Sequence, residues 1–338
     1  MRILVTGGLG FIGSHLVRRL MREDAVSVVN LDALTYAGNL ANLADVADNP
    51  RYRWVHASIT DVSAVRGVLS AEPFDAVVHL AAESHVDRSI AGGLPFVHTN
   101  VVGTEILLEA ARECGVPRFL HVSTDEVYGS LGPGGFFTED SPVKPNSPYS
   151  ASKAGSDLLV LAAFQTFGQD VVVTRCSNNY GPYQFPEKLI PLYITNGLEG
   201  KSWPLYGDGQ NIRDWIFVED HVEALWLALT RGRPGAIYNI GGRSERTNRE
   251  VADRLLALLG LPSDTVEPVS DRPGHDRRYA IDPSRAEREL GFVPRRQFGE
   301  GLAETVEWYR GNRAWWEAVK SGEYREFYQR QYPHMSGR

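Results

Sequence analysis

The sequence predicts an α/β protein built on a doubly wound parallel sheet, and three observations support this fold class. Short runs rich in Val, Ile and Leu alternate with amphipathic segments through the first half of the chain. Most of these runs lack strict polar–apolar alternation, as expected for strands that are buried on both faces. A glycine-rich turn also lies directly between the first apolar run and the first amphipathic segment. Strands and helices that alternate in this way favour a parallel sheet covered by helices on both sides.

The individual elements of the sheet follow from the same pattern. The predicted strands are Arg2–Thr6, Val26–Leu31, Tyr52–Ala57, Ala76–Leu80, Arg118–Val122 and Asp170–Arg175. The predicted helices between them are Ile12–Met21, Val62–Leu69, Asn100–Cys114 and Ser150–Phe167. After Arg175 the chain becomes richer in Gly, Pro, Asn and aromatic residues, which predicts a smaller, interwoven C-terminal domain that binds the substrate. We therefore expect a cofactor domain at residues 1–177 plus roughly 214–240, and a second domain at 178–213 and 241–338.

Composition and charge exclude several classes of protein. The chain has 338 residues, of which 43% are apolar and 23% charged, and this excludes disordered, collagen-like and coiled-coil proteins. The formal net charge of −7 argues against a nucleic-acid partner, because sequence-independent binding to nucleic acid needs a basic face. Only two cysteines are present, and no apolar run approaches the ~18 residues of a membrane span. We therefore expect a reduced, cytoplasmic protein without a membrane segment.

The glycine-rich turn is the first predicted binding feature. Gly7, Gly10 and Gly13 have a GxxGxxG spacing between the first strand and the first helix. Such a turn brings backbone N–H groups and a helix N-terminus close to a pyrophosphate. Asp32 follows the next strand, where a carboxylate accepts hydrogen bonds from an adenosine ribose and repels a 2′-phosphate. Together these features predict a Rossmann-type site for NAD rather than NADP; the alternative is a tight turn without a ligand.

A tyrosine and a lysine are spaced to act together. Tyr149 and Lys153 are four residues apart at the start of a predicted helix, so their side chains share one face. An ammonium group next to a phenol stabilises the phenolate and lowers the pKa of the tyrosine, which makes it a usable base near neutral pH. An ordinary solvated pair is the alternative. The position of the pair after the fifth strand favours the catalytic interpretation.

Two adjacent acids, Asp125 and Glu126, follow the fifth predicted strand. Open α/β sheets bind their ligands at the carboxyl ends of the strands. We therefore predict that these acids form an acid/base pair that acts on the same substrate as Tyr149. The alternative is a solvated turn in which Asp125 caps a short helix.

With these motifs the chain resembles the extended short-chain dehydrogenases/reductases, and among them the nucleotide-sugar 4,6-dehydratases. The segments that carry the resemblance are residues 6–13, 31–39, 81–89, 123–129, 149–153, 178–182, 186–191, 205–209 and 271–276. The glycine turn and the Tyr–Lys pair occur throughout this family. The Thr124-Asp125-Glu126 triplet is more specific, because related epimerases usually lack both acids. The resemblance implies NAD as the cofactor and conversion of dTDP-glucose into dTDP-4-keto-6-deoxyglucose and water.

The resemblance also implies a catalytic role for five residues. Tyr149, as phenolate, takes the proton of the sugar 4-hydroxyl while a hydride passes from C4 to NAD. Lys153 holds the nicotinamide ribose, and Thr124 hydrogen-bonds the 4-hydroxyl. Glu126 removes the C5 proton, protonated Asp125 donates a proton to the departing 6-hydroxyl, and the hydride returns to C6. The two carboxyl groups must then have opposite protonation states, which requires environments that separate their pKa values.

Binding residues are implied in the same way. The implied cofactor contacts are Gly7, Gly10, Phe11, Ile12, Gly13, Asp32, Thr35, Ser58, Ile59, Leu80, Ala81, Ala82, Ser84, Thr99, Tyr149, Lys153 and Asn179. The implied substrate contacts are Ser84, Thr124, Asn178, Lys188, Leu189, Pro204, Leu205, Tyr206, Arg213, Asn248, Arg272 and His275. Guanidinium groups suit diphosphate oxygens, although a surface ion pair is the alternative for any single arginine. Ser58 departs from the family, which usually has Asp at this position near the adenine.

Three further expectations concern assembly, metals and competing functions. The helices Asn100–Cys114 and Ser150–Phe167 match those that form a four-helix dimer interface in the superfamily, so a homodimer is expected. The histidines on and beside the strands lack metal-ligand spacing, so no metal site is expected. A nucleotide-sugar 4-epimerase or decarboxylase remains an alternative, and so does a catalytically inactive NAD-binding regulator.

Overall fold

The computed structural model describes residues 1–271 and 273–321 of the chain. The strands are β1 (Arg2–Thr6), β2 (Ser27–Asp32), β3 (Tyr52–His56), β4 (Ala76–His79), β5 (Phe119–Thr124), β6 (Val171–Cys176), β7 (Asn178–Tyr180), β8 (Trp203–Tyr206), β9 (Ile212–Phe217), β10 (Ile237–Ile240), β11 (Glu245–Thr247) and β12 (Val266–Val269). The α-helices are α1 (Phe11–Met21), α2 (Val62–Ala71), α3 (Val86–Ala91), α4 (Leu94–Phe96), α5 (Gly103–Glu113), α6 (Pro148–Phe167), α7 (Leu189–Leu198), α8 (Val218–Arg231), α9 (Asn248–Leu259), α10 (Ser284–Leu290), α11 (Phe298–Gly311) and α12 (Arg313–Val319). Single turns of 3₁₀-helix cover Leu40–Leu43, Asp125–Tyr128 and Ser263–Thr265, and a π-helix covers Val97–Val102.

A seven-stranded parallel sheet forms the centre of the molecule, which confirms the predicted fold class. Its strand order is β10-β6-β5-β4-β1-β2-β3. From β1 the chain adds β2 and β3 on one side of the sheet, and it then returns to add β4, β5, β6 and β10 on the other side. The direction in which strands are added therefore reverses between β1 and β4. Open sheets of this kind have a ligand-binding crevice at the carboxyl ends of the strands beside that reversal.

The apolar strands are buried on both faces, as their sequence predicts. In β1, Ile3 and Val5 point into one core, which also contains residues of α1, α8 and α10. Leu4 points into the opposite core, with residues of α2, α5 and α6. All three side chains are 0% exposed. Burial on two faces explains why the strand reads as an apolar run without alternation.

A second core lies under two small sheets, one with the order β11-β9-β7 and the other pairing β12 with β8. Aromatic side chains dominate this core, and Trp203, Tyr309 and Trp316 are each 0% exposed. The division into two domains stays a prediction. Two segments pack with the part of the molecule to which that division does not assign them. Residues 214–217 belong to β9 of the small sheet, and Leu290 of α10 packs in the core under the large sheet.

Two local features place the catalytic segments. Helix α6 begins at Pro148 because Ser147 and Ser150 form a reciprocal capping box, and this puts Tyr149 in its first turn. The helix predicted from Asn100 instead starts at Gly103, after the π-helix. The Asn100 side chain accepts a hydrogen bond from the Glu83 N–H (2.8 Å) and donates to the Glu83 carbonyl oxygen (3.0 Å). Asn100 thereby ties the π-helix to the loop after β4.

Candidate active site

The glycine turn between β1 and α1 lies at the reversal in strand order. Gly7 has φ +74°, and a Cβ there would lie 2.7 Å from the Ala81 nitrogen. A Cβ on Gly13 would overlap the carbonyl oxygen of Gly7. Helix α1 has Gly10 as its N-cap, and no side chain caps its first N–H groups. The turn therefore leaves backbone N–H groups at a helix N-terminus for a pyrophosphate, which fits the predicted dinucleotide site.

Asp32, at the end of β2, connects the two loops at one side of this turn. Its carboxylate oxygens accept hydrogen bonds from the N–H groups of Leu9 and Leu34, both at 2.8 Å. Burial raises the pKa of Asp32, and these two hydrogen bonds oppose the shift. The carboxyl group is thus fixed beside the glycine turn, where a ribose hydroxyl is expected.

The other predicted cofactor residues lie in loops and helix ends around the same crevice. Ala81 donates its N–H to Thr6 Oγ1 at the end of β1 (3.2 Å), which holds the loop containing Leu80, Ala82 and Ser84 against the glycine turn. Ile59 is buried, and a Cβ on Gly103 would overlap its side chain. Half-buried or exposed positions are held by Phe11, Ile12, Thr35, Ser58, Thr99 and Asn179. The Ser58 hydroxyl lies 2.8 Å from Thr60 Oγ1, so this residue already has a local partner.

Tyr149 is buried at the start of α6, beside the end of β5. Burial raises the pKa of Tyr149 well above its ordinary value, and the charge of Glu126 raises it further. A hydrogen bond with Thr124 has the opposite effect and favours the phenolate. The net shift of this pKa is therefore upward, and its lowering by the charge of Lys153 stays a prediction.

Lys153 lies one helical turn after Tyr149 and is 4% exposed. Its Nζ donates a hydrogen bond to the Val122 carbonyl oxygen of β5 (2.9 Å). Burial lowers the pKa of Lys153 to about 8, and the negative charge of Asp157 opposes this shift. The ammonium form is therefore only moderately favoured at neutral pH.

Asp125 and Glu126 lie in different environments although they are adjacent. Asp125 is 1% exposed, and within the described part of the chain its Oδ2 makes no hydrogen bond. Burial raises the pKa of Asp125 well above its ordinary value, and the charges of Glu126 and Asp214 add to this effect. All three effects favour the protonated form of Asp125. Glu126 is only half-buried, and its N–H donates to Thr124 Oγ1 (3.2 Å).

Residues of the small sheets reach the same region. Lys188 Nζ donates to the Ser84 carbonyl oxygen (3.0 Å), and the Tyr206 hydroxyl donates to Asp87 Oδ2 (3.4 Å). The His275 ring lies 6.1 Å from the Tyr206 ring. Three predicted substrate residues therefore contact each other or the loop after β4, which also belongs to the predicted cofactor site.

Arg213 projects from β9 and is 5% exposed. Its guanidinium donates to the carbonyl oxygens of Ile212 (2.8 Å) and Asp276 (3.0 Å), and it lies 4.3 Å from the centre of the Tyr279 ring. The charge of Arg213 lowers the pKa of Asp125, which places this cation near the catalytic acids. Arg213 is therefore buried and bonded to carbonyl groups, whereas the alternative interpretation from the sequence was an ion pair at the solvated surface.

The remaining predicted substrate residues take several positions. Asn178 begins β7, Leu189 begins α7, and Asn248 begins α9 with its N–H bonded to the Asn211 carbonyl oxygen (3.0 Å). Pro204 and Leu205 lie in β8, where the Pro204 carbonyl oxygen accepts a hydrogen bond from the Tyr193 hydroxyl (2.8 Å). Arg272 lies outside the described residues.

One buried cluster beside the site was missed by the sequence analysis. Glu187 Oε2 lies 3.4 Å from Arg88 Nε and 3.7 Å from His85 Nε2. The Arg88 guanidinium lies 3.9 Å from the centre of the Tyr36 ring. Burial raises the pKa of Glu187 to about 6. The cluster joins the loop after β2, the helix after β4 and the loop before α7, and all four residues lie in or beside motif segments whose pairing a single sequence does not reveal.

Neither a metal-binding cluster nor a membrane-spanning helix is found among the described residues. In residues 1–271 and 273–321, no group of three or more His, Cys, Asp or Glu side chains is arranged to hold a metal ion. No helix in the same part of the chain has the length and apolar character needed to cross a membrane.

Comparison with known proteins gave consistent matches over nearly the whole chain. A family model described as GDP-mannose 4,6 dehydratase matches residues 4–305. The dTDP-glucose 4,6-dehydratase of Streptomyces niveus is 55% identical over 326 residues, which cover 95% of this chain and 96% of the relative.

Solved structures give the same result and add a more distant comparison. The crystal structure of DesIV, a dTDP-glucose 4,6-dehydratase of Streptomyces venezuelae with NAD bound, matches with a TM-score of 0.92 and 56% identity, covering 95% of this chain and 100% of that one. A UDP-glucose 4-epimerase of Thermus thermophilus in complex with NAD matches with a TM-score of 0.86 and 32% identity, covering 92% of this chain and 100% of that one.

Proposed function

Because this chain belongs to the nucleotide-sugar 4,6-dehydratases of the extended short-chain dehydrogenase/reductase family, we propose that it converts dTDP-glucose into dTDP-4-keto-6-deoxyglucose and water. Such an enzyme is an NAD-dependent hydro-lyase. The observation that carries the proposal is the placement of two acids beside Tyr149: Asp125, whose protonated form burial favours, and the half-buried Glu126. An epimerase needs the tyrosine and the cofactor, whereas dehydration also needs an acid and a base for the elimination.

The cofactor site follows from the chain's own groups. NAD, when bound, supplies a reversible acceptor for the hydride of C4. The N–H groups of Phe11, Ile12 and Gly13 at the N-terminus of α1 would hold its pyrophosphate, and Asp32 would accept a hydrogen bond from a ribose hydroxyl. Lys153 would hold the second ribose and stabilise the negative charge that develops on Tyr149. This assignment explains why a lysine is kept in a site where burial disfavours its charge.

Oxidation at C4 requires a base for the 4-hydroxyl, and Tyr149 is assigned this role. Because burial raises its pKa, Tyr149 needs help to lose its proton. Thr124 provides a hydrogen bond that favours the phenolate, and the ammonium of Lys153 lies one helical turn away on the same face. Thr124 is also assigned a hydrogen bond to the 4-oxygen of the substrate, which it donates after Tyr149 has taken the hydroxyl proton.

Elimination follows because the 4-ketone acidifies the C5 hydrogen. Glu126 takes this proton, the bond between C6 and its oxygen breaks, and Asp125 gives its proton to the leaving hydroxyl, which departs as water. The hydride taken from C4 then returns to C6, and C5 is reprotonated. The unpartnered Oδ2 of Asp125 suits a carboxylic acid that acts as a donor. The two acids can have these opposite roles because burial keeps Asp125 protonated while Glu126 reaches solvent.

Substrate binding is assigned to two cations, Lys188 before α7 and Arg213 in β9. A diphosphate bound by them would receive charge-assisted hydrogen bonds. Arg272 is expected to join them by family resemblance. The preference for the thymidine nucleotide rests on the relatives, which are named for dTDP-glucose.

The test is an assay with dTDP-glucose deuterated at C4 and no added reductant. We expect the 4-keto-6-deoxy sugar with deuterium at C6, identified by mass spectrometry and NMR. Deuterium that stays at C4 or exchanges with solvent would exclude the internal hydride transfer. The same assay with UDP-, GDP- and CDP-glucose measures the base preference, and faster turnover of any of these would assign another substrate.

We also propose that the protein is a homodimer. Exposed apolar side chains occur in α3, α4, the π-helix and α6, among them Leu94 (79%) and Leu158 (58%). Ile90, Val97 and Val102 in these segments are also exposed. The other three segments all pack against α6, and exposed apolar side chains on neighbouring elements are typical of an interface. Leu94→Asp is expected to halve the mass measured by sedimentation equilibrium, while Val62→Asp, at an exposed position on α2, leaves it unchanged.

A cytoplasmic location is proposed on the basis of the thiols. Cys114 and Cys176 are both free, one exposed and the other buried. An exposed free thiol is typical of a reducing compartment. Immunofluorescence or fractionation of the source cells tests this location.

A further inference from the structure

A buried charged cluster lies behind the Tyr149–Lys153 pair. It consists of Lys153, Asp157, Arg175 and His121, none of which is more than 4% exposed. Asp157 Oδ2 accepts a hydrogen bond from Arg175 Nε (2.9 Å), and its Oδ1 lies 3.3 Å from His121 Nε2. Asp157 follows Lys153 by one turn of α6, so the carboxylate and the ammonium occupy the same face of the helix.

Asp157 provides the single negative charge in this cluster. Burial lowers the pKa of His121 to about 4, so its ring is neutral at neutral pH. The cluster then contains two cations, Lys153 and Arg175, and one anion. Because a buried ammonium loses its hydration, it stays charged only where a nearby anion or several acceptors stabilise it. Lys153 Nζ donates a hydrogen bond to the neutral Val122 carbonyl group, and the charge of Asp157 has the main stabilising effect on the ammonium.

Other titratable groups around Lys153 do not replace this anion. His79 on β4 is fully buried, which lowers its pKa and keeps it neutral, and Cys176 on β6 has its pKa raised to about 12 by burial. On the crevice side, burial raises the pKa values of Asp125 and Tyr149 well above their ordinary values and that of Tyr128 to about 12, which favours the neutral form of each group. Glu126 also lies on the crevice side, where its charge acts on Tyr149 and Asp125.

We infer that Asp157 is a positioning residue for the oxidation step, whose carboxylate holds Lys153 in the ammonium form, and that Arg175 limits how much of this negative charge Lys153 experiences. The inference rests on the proposed role of Lys153. It assigns Arg175 and Asp157 opposite effects on the pKa of Lys153. Loss of the Asp157 carboxylate favours the neutral amine of Lys153, whereas loss of the Arg175 cation favours its ammonium form.

The test isolates C4 oxidation from elimination. We would supply the enzyme with its NAD and dTDP-6-deoxyglucose, which can be oxidised at C4 but has no 6-hydroxyl to lose, and follow NADH absorbance against pH. The active form has Tyr149 deprotonated and Lys153 protonated, and Tyr149 has the higher pKa, so the rate rises with pH and this rising limb levels off near the pKa of Lys153. Asp157→Asn is expected to move the upper end of this limb down by about one to two pH units. Arg175→Gln is expected to move it up, while Arg175→Lys keeps the charge and leaves the limb close to that of the wild type.

Two results would overturn the inference: an unchanged limb in folded Asp157→Asn, or a downward shift in Arg175→Gln. If Asp157→Asn does not fold, the contrast between Arg175→Gln and Arg175→Lys decides, and equal limbs would refute the role of the cluster. If the wild type forms no NADH, the proposed function fails, and a second measurement decides on the cluster alone.

The second measurement is the free energy of unfolding in urea between about pH 7 and about pH 10. Burial lowers the Lys153 pKa in the folded chain, so the unfolded chain binds more protons and wild-type stability gains a positive contribution as pH rises through about 8. In Arg175→Gln relative to Arg175→Lys this contribution is expected to begin at higher pH. Coincident curves would refute the coupling.

Discussion

The protonated state of Asp125 gives the sharpest prediction about the mechanism. Asp125→Asn replaces a buried, neutral carboxylic acid by a neutral amide of the same shape, so folding and C4 oxidation should persist. Elimination loses its proton donor, and general acid catalysis typically contributes about 10²–10⁴ in rate, or about 3–5 kcal/mol of barrier. With dTDP-glucose as substrate, NADH absorbance should therefore accumulate in the variant while ketosugar formation slows by that factor.

Glu126→Gln is the matched control for this variant. It removes the base for C5, so it should also accumulate NADH, but without exchange of the C5 proton with solvent deuterium. Asp125→Asn keeps the base and should still exchange that proton. Dehydration at the wild-type rate in Asp125→Asn, or loss of C4 oxidation together with elimination, would refute the assignment of Asp125 as the acid.

Asp125→Asn should also change how the free energy of unfolding depends on pH. The pKa of Asp125 is raised in the folded chain, so its contribution to stability is fully present below the ordinary pKa of aspartate and is lost as pH rises through the folded value. Asn cannot titrate. The difference in unfolding free energy between Asp125→Asn and wild type should therefore increase in favour of the variant from acid to neutral pH, as measured in urea. A difference that is constant with pH would contradict the burial of an acid at this position.

Further predictions concern the glycine turn and the buried glutamate. Gly13→Ala places a Cβ on the Gly7 carbonyl oxygen and should reduce the NAD retained after purification by at least about tenfold, whereas Gly67→Ala, with no atom within 4 Å of its Cβ, should retain NAD and gain about 0.5–1 kcal/mol of stability. Equal NAD content in both variants would contradict the role of the turn. Glu187→Gln should become more stable relative to wild type as pH rises through about 6, because the raised pKa of Glu187 makes its ionisation unfavourable in the folded chain. Urea unfolding at pH values on both sides of that point tests this, and a relative loss of stability would show that the ion pair with Arg88 outweighs burial.

The sequence predicted those features that depend on neighbouring residues. The strand β1 is an apolar run because both of its faces are buried, and the next residues form the glycine turn, so strand, turn and helix could be placed from local pattern alone. The spacing of Tyr149 and Lys153 likewise fixes a shared helix face. The upward shift of the Tyr149 pKa could not be predicted, since it depends on burial and on Glu126, which lies on another element.

Features that depend on distant contacts could not be predicted. Asn100 forms its hydrogen bonds with Glu83 across the fold, and the helix predicted there begins three residues later, after a π-helix. Glu187 meets Arg88 from a segment about one hundred residues further along the chain. Nothing in either segment indicates the pairing, because a single sequence contains no distance information between remote positions.

The burial of one cysteine makes the protein chemically simpler than its composition suggests. The pKa of Cys176, raised to about 12 by burial, leaves only about one thiolate in 10⁵ molecules at neutral pH, so this sulfur is nearly inert to alkylating reagents. Cys114 is exposed at the end of α5, which leads into the amino end of β5, at the edge of the sheet opposite the catalytic residues. A maleimide dye therefore has a single place to react. It would report on assembly of the protein from a site that leaves the chemistry undisturbed.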